Sequence, residues 1–313
     1  MMRAPIATWT SLVAGLMLPA LVLFMPLCGF ASEPQPAPTR VLLLASDDGT
    51  LHQRILLSME RQIGNVPASR TRAIATDEGA RTQIGHFDCT ECLIVTSGVH
   101  ALRLGLEASH QARILAIAIP EESFLQMTRG RTDRDRLSAI FMEVSLERMA
   151  EIISQRLTGI ESVGIVSSDG RYLSGEHRLG HPDRAPGLKF REYAVPREAD
   201  IVDVFTQASR ENQAILAVPD PRIFNRDTIV RIMLTTYRSN TPVIGYSEAM
   251  NRAGALMSVF SSPEMLGDEA GELVADALRA QRWQHTERHT ERYTVAVNPQ
   301  VARSLRIRVK ETP

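Results

Sequence analysis

From residue 41 onward, short unbroken apolar runs alternate with stretches of helical period, and this constrains the fold more than any other feature of the chain. Val41-Leu42-Leu43-Leu44-Ala45 is such a run, closed by the turn Ser46-Asp47-Asp48-Gly49. Residues 51–63 then place Leu51, Ile55, Met59 and Ile63 on one helical face. Further runs lie at 93–96, 114–119, 139–142, 163–166, 190–195, 214–218, 242–245 and 255–259, with a weaker one at 72–75. Helical spacing fills the intervals 100–109, 146–157, 201–208, 223–237 and 263–280, the last opening on Pro263. Strands that are apolar throughout must be covered on both faces. Alternation with helices therefore predicts an α/β chain with parallel sheets.

An internal echo divides the pattern. Val41 to Gly49 is matched by Val163-Gly164-Ile165-Val166-Ser167-Ser168-Asp169-Gly170, each an apolar strand ending in Ser-Asp and a glycine turn. Two such starts predict two lobes of similar construction.

Ahead of the first strand, Arg3 is the lone charge before Glu33, and residues 12–31 are almost wholly apolar. A positive start, an apolar run and small residues at Gly29 and Ala31 are expected to form a secretory signal over residues 1–31. An uncleaved membrane anchor is the other reading, against which Pro26 argues. A lipoprotein signal at Cys28 is disfavoured by Leu27 in front of it. Residues 32–39 are a polar, proline-rich linker. The expected location is therefore the periplasm.

Acidic and basic residues number 36 and 35, which gives no case for a nucleic-acid partner. In an oxidising compartment Cys89 and Cys92 are spaced to close a disulfide. A redox pair normally sits where a strand yields to a helix N-terminus, whereas Cys92 leads into a strand. The pair therefore reads as a local staple or as free thiols. The chain carries neither a Gly-x-Ser-x-Gly elbow nor a phosphate loop. His285 and His289 fall in a duplicated His-Thr-Glu-Arg stretch read as a solvated loop. The expectation is thus no enzyme, no cofactor and no metal.

In open parallel sheets, ligands bind beyond the carboxyl ends of the strands. That places the candidate ligand contacts at Ser46, Asp47, Ser97 and Gly98 in the first half. In the second half they are Ser168, Asp169, Asp220, Ser247 and Glu248. Pro120 with Glu121 and Pro219 are further strand-end positions. Ser97-Gly98 precedes a helix whose free N–H groups suit a carboxylate. Asp220 and Glu248 suit an ammonium.

Several stretches resemble the ABC-transporter substrate-binding family that includes bacterial tryptophan- and tyrosine-binding proteins. They are Thr241-Pro-Val-Ile-Gly-Tyr-Ser-Glu248, Ala253-Gly-Ala-Leu-Met-Ser-Val259, Leu266-Gly-Asp-Glu-Ala-Gly-Glu-Leu273, Thr294-Val-Ala-Val-Asn298 and Val301-Ala-Arg-Ser-Leu-Arg-Ile307. Ile94-Val-Thr-Ser-Gly98 and Val163-Gly-Ile-Val166 fit the same order. The resemblance implies a type I periplasmic-binding-protein architecture, two Rossmann-like lobes crossed three times by the chain. It places residues 40–143 and 260–292 in the first lobe, and 144–259 and 293–313 in the second. The ligand would lie between the lobes and be buried by hinge closure.

This chain departs from the pattern over residues 168–189, which are poor in helix signals. Aromatic residues make up only 5%, leaving Tyr172, Phe224 and Tyr246 as stacking candidates. The expected function is a monomeric solute-binding protein for a small polar ligand, an amino acid or related carboxylate, delivering to an ABC permease. Two alternatives remain, a sensory module reporting to a membrane kinase and a thiol–disulfide protein using Cys89 and Cys92.

Overall fold

The computed structural model describes residues 35–64, 69–170, 172–173 and 187–310. The signal expected at 1–31, the start of the 32–39 linker, and most of the 168–189 segment lie outside these residues. Among the described residues no helix is long and apolar enough to cross a membrane.

In chain order the elements begin β1 (Gln35–Pro36), β2 (Arg40–Ala45), α1 (Thr50–Ile63), β3 (Ser69–Ile74), α2 (Ala80–His86), β4 (Cys92–Ser97) and α3 (Val99–Ala108). They continue β5 (Arg113–Ile119), α4 (Glu121–Thr128), β6 (Leu137–Phe141), α5 (Leu146–Arg156), β7 (Ser162–Ser167) and β8 (Lys189–Ala194). Next come α6 (Ile201–Glu211), β9 (Ala214–Leu216), α7 (Ile229–Arg238), β10 (Val243–Gly245), α8 (Glu248–Ala253) and β11 (Met257–Phe260). The chain closes with α9 (Pro263–Arg279), β12 (Arg282–Trp283), β13 (Glu287–His289), β14 (Thr294–Val297) and α10 (Pro299–Ser304).

Two six-stranded sheets result among these residues, ordered β13-β6-β5-β4-β2-β3 and β14-β11-β10-β9-β7-β8. All pairs in the first sheet are parallel; in the second only β14 runs antiparallel, to β11. The chain passes between sheets after β6, after β11 and after β13. The apolar runs account for this burial: β4 and β5 are buried at every position. One face of the first sheet packs on α2, α3 and α4 through Ile84, Leu102 and Phe124, and the other on α1 and α9 through Ile55, Met59 and Val274.

The buried face of α1 keeps Ile55, Met59 and Ile63 as expected but differs at its start. Leu51 is exposed, and His52 lies inward with Ile55, Leu56, Met59 and Ile63. Burial of His52 is tolerated because Ser97 meets its ring nitrogen in a hydrogen bond. The expected helix over 223–237 starts at Ile229, since the Thr228 hydroxyl bonds the Ile223 carbonyl and Asn225 accepts from Asp227, holding a turn there. The His-Thr-Glu-Arg stretch is not a loop throughout. Glu287–His289 forms an edge strand beside β6, its charges paired as Arg134–Glu287 and Arg288–Glu269. Cys89 and Cys92 are joined as a disulfide in the turn entering β4, away from any helix N-terminus.

Two carboxylates set the acid limit of the fold. Burial alone would push the Asp88 carboxyl up, but the N–H groups of Gln111, Ala112 and His110 and the Ser109 hydroxyl all donate to it and hold it below its ordinary value. Asp133 is held well below the carboxylate range by Arg131 and then Arg136. Both values are depressed on folding, so their stabilisation is complete above the unfolded value of about 4 and is lost as pH falls through the folded ones. Urea unfolding is therefore expected to show stability falling below about pH 4, with a shallower fall in Asp133→Asn.

Candidate functional site

The carboxyl ends of the first sheet bring four of the expected residues together. Ser46 and Ser97 sit side by side because β2 and β4 pair in register, Ala45 opposite Ser97. The Ser46 hydroxyl accepts from the Ala101 N–H at 3.0 Å in the first turn of α3, and the Ser97 hydroxyl lies 2.8 Å from His52 Nδ1. Asp47 folds back on the Gly49 N–H, and its second oxygen lies 3.8 Å from His52 Nε2. Burial lowers the His52 pKa, against the opposing charge of Asp47, so the ring is neutral at neutral pH.

Gly98 holds this junction open. Its φ is +93°, and a Cβ there would stand 2.5 Å from Ser46 Oγ and 2.7 Å from His52 Cε1. Both serine hydroxyls are thus engaged internally. What remains for an anion is the backbone of the first α3 turn, where Val99 and His100 have no intrahelical acceptor.

The second sheet contributes Ser168, Asp169, Asp220, Ser247 and Glu248 at the corresponding ends. Asp220 Oδ2 accepts from the Ser168 N–H at 2.8 Å and Oδ1 from the Arg222 N–H at 3.0 Å, tying the loops after β7 and β9 together. The Ser168 hydroxyl oxygen is sealed from solvent and has no hydrogen-bond partner among the described residues. Asp169 is exposed. Ser247 caps α8 by accepting from the Met250 N–H. Glu248 is exposed, pairs with Arg252 at 2.7 Å, and lies within electrostatic reach of Arg54 on α1. The last two therefore act first as helix-cap residues.

At the carboxyl ends of the second sheet lies a cavity of about 20 Å³, lined by Tyr172, Val218, Pro219 and Tyr246 among others, with Glu143 from the end of β6. That is room for about one water, so a larger guest requires the lining to move. Burial pushes the Tyr246 hydroxyl up to about 12, reinforced by the charge of Asp220. The Tyr172 hydroxyl is raised by burial and then by Glu143, Glu121 and Glu122 from the first sheet and Glu192 from the second. Burial also raises Glu143, to about 7.

Glu143, His52 and His289 were not among the expected contacts. The sequence signal for His52 was its i, i+3 and i+7 spacing to Ile55 and Met59. Pairing of β13 with β6 brings His289 beside Glu121, and Glu143 reaches the cavity just beyond β6.

Two mostly parallel sheets covered by helices and joined by three crossings define a type I periplasmic-binding-protein fold. Residues 142–312 match the family model for ABC transporter substrate binding protein, more than half of the chain, and the chain belongs to that family. Among solved structures, a conserved domain protein from Vibrio cholerae superposes with a TM-score of 0.55 at 15% identity, over 88% of this chain and 97% of that one. The ABC domain from Streptococcus pneumonia in complex with L-Trp gives 0.55 at 16%, over 88% and 97%. A substrate binding protein with adhesive properties from Clostridium difficile, in its ligand-free, open form, gives 0.63 at 12%, over 88% and 96%. At these identities the likeness is one of fold. No curated protein matches the chain.

Proposed function

We propose that this chain is the solute-binding component of an ABC-type uptake system, exported to the periplasm and handing its cargo to a membrane permease. Its lobes are residues 40–143 with 260–292 and residues 144–259 with 293–313, and they close on a small polar solute of the amino-acid or related carboxylate class. The observation that carries this reading is the approach of strand ends from both sheets, where Glu121 and Glu143 of the first act on the Tyr172 hydroxyl and Glu143 lines a cavity with Tyr172 and Tyr246. The solute carboxylate is assigned to the first turn of α3 and its ammonium to Asp220. The membership of the family and the L-Trp complex of the Streptococcus neighbour support the class of cargo. The apolar run over residues 12–31 behind Arg3 supports export.

Calorimetric titration against amino acids, small carboxylates, nucleosides and sugars tests the reading, with saturable one-to-one binding expected for one class. Heat-silent titrations across the whole panel, on folded protein, would overturn it in favour of a sensory or partner-binding module. For the solute found, Asp220→Asn is expected to weaken affinity by about 10- to 100-fold, the worth of a hydrogen bond to a charged group. An unchanged dissociation constant would remove Asp220 from the ammonium site.

A further inference from the structure

Three neighbouring strand ends of the first sheet deliver a second constellation, to which the solute-binding reading assigns no ligand contact. Glu121 opens α4 beyond β5, Glu143 follows β6, and His289 ends β13. Because β5, β6 and β13 are consecutive in the sheet, one donor atom from each residue falls within 4.8 Å of the others. Glu121 Oε2 lies 3.2 Å from His289 Nε2, and Glu143 Oε1 accepts from the Glu121 N–H at 2.7 Å. The other Glu143 oxygen, Oε2, is sealed from solvent and has no hydrogen-bond partner among the described residues. Phe141 packs edge-on against the His289 ring, centroids 5.4 Å apart, and fixes its plane.

We propose that Glu121, Glu143 and His289 form a site for a divalent transition-metal ion of the zinc or manganese kind. A buried carboxylate oxygen without a donor is costly, and a bound cation removes that cost. The donor set of one imidazole and two carboxylates is suited to these ions, whereas calcium and magnesium favour oxygen alone. Metal–ligand bonds of about 2 Å set tetrahedral donors about 3.3 Å apart, a spacing Glu121 and His289 already meet at 3.2 Å, so any further approach on binding falls to Glu143. Three protein ligands leave at least one coordination position open. Glu143 lines the cavity with Tyr172 and Tyr246, so that position faces the cavity, where a water completes the shell. The imidazole distinguishes this site from an ammonium pocket, since a ring nitrogen offers a metal ion its lone pair.

The test is equilibrium dialysis of the untagged full chain, held in mild detergent and stripped with EDTA, against zinc chloride and manganese chloride. About one equivalent of metal per chain is expected, with Glu143→Gln and His289→Gln each weakening retention at least tenfold while circular dichroism is unchanged. Cobalt(II) gives a readout that needs no variant. The intense visible bands of a four- or five-coordinate ion are expected, and the pale spectrum of the hydrated ion would overturn the site. Retention that both substitutions leave intact would overturn it equally. If ammonium-bearing solutes stabilise the chain, metals do not, and Glu143→Gln abolishes the effect, the cluster is an amine site. The metal proposal then falls while the solute-binding reading stands.

Discussion

Gly267→Val is expected to lower the thermal midpoint by roughly 6–12 °C, the equivalent of about 3 kcal/mol in a domain of this size. The reason lies in how closely α9 runs along α1. A Cβ at Gly267 would meet the Ile55 carbonyl oxygen and stand 2.8 Å from Ser58 Cβ. One turn later, a Cβ at Gly271 would stand 2.6 Å from the Met59 carbonyl oxygen and 2.7 Å from Gln62 Cβ. Those carbonyls belong to the hydrogen-bonded backbone of a helix and cannot yield as a flexible side chain does. A valine would lift α9 off the sheet and loosen Leu266, Ala270 and Val274 from the core they share with Ile55 and Met59. The Ser58 hydroxyl, which donates to Asp268 at 2.5 Å, would lose its partner as well. Gly85→Ala is the control: nothing lies within 4 Å of its Cβ position, and a midpoint equal to or slightly above that of the parent is expected. Thermal unfolding followed by circular dichroism reads both, and a Gly267→Val midpoint within error of the parent would contradict the packing described here.

The second large effect is Glu269→Ala, expected to cost about 2–3 kcal/mol. Glu269 is only 5% exposed and ties α9 to the β13 region. It pairs with Arg288, accepts from the Thr290 hydroxyl at 2.7 Å, and lies 3.3 Å from the Glu291 N–H. Removing it strands these donors. The cost stays below that of a fully buried pair because the Arg288 side chain is 32% exposed and has Glu291 3.5 Å away. Urea unfolding measures the loss, and hydrogen exchange should show the β13 amides released first. Equal stability with unchanged protection of β13 would show that the strand is held by its pairing with β6 alone.

Much of this fold was legible because a strand covered on both faces has to be apolar at every position. The runs at 41–45, 93–96 and 114–119 are read directly from that requirement, and each is buried throughout. The same logic fails for β13. An edge strand half-open to solvent carries charge, and Glu287, Arg288 and His289 are stabilised by Arg134, Glu269 and Glu121, residues far away in the chain. In α1, His52 was missed and Leu51 taken in its place for a related reason: a buried histidine looks polar until its partner, Ser97, is known.

At the site, the turn residues after each strand were visible, since they mark where a parallel strand yields to a helix. Their roles were not. Ser46, Ser97 and Ser247 spend their hydroxyls within the fold, and the Ser168 hydroxyl has no partner among the described residues. Glu143 looked like nothing more than a point of chain crossing, and its place at the cleft follows from tertiary pairing alone.

The measurement that tests the account most directly is small-angle X-ray scattering of the full chain in detergent of matched contrast, without and with saturating solute. Closure of the two lobes over the cleft between Asp220 and the first turn of α3 predicts a smaller radius of gyration and maximum dimension in the saturated sample. Scattering curves that superimpose at full occupancy would contradict it, placing the solute on a surface that does not lie between the lobes.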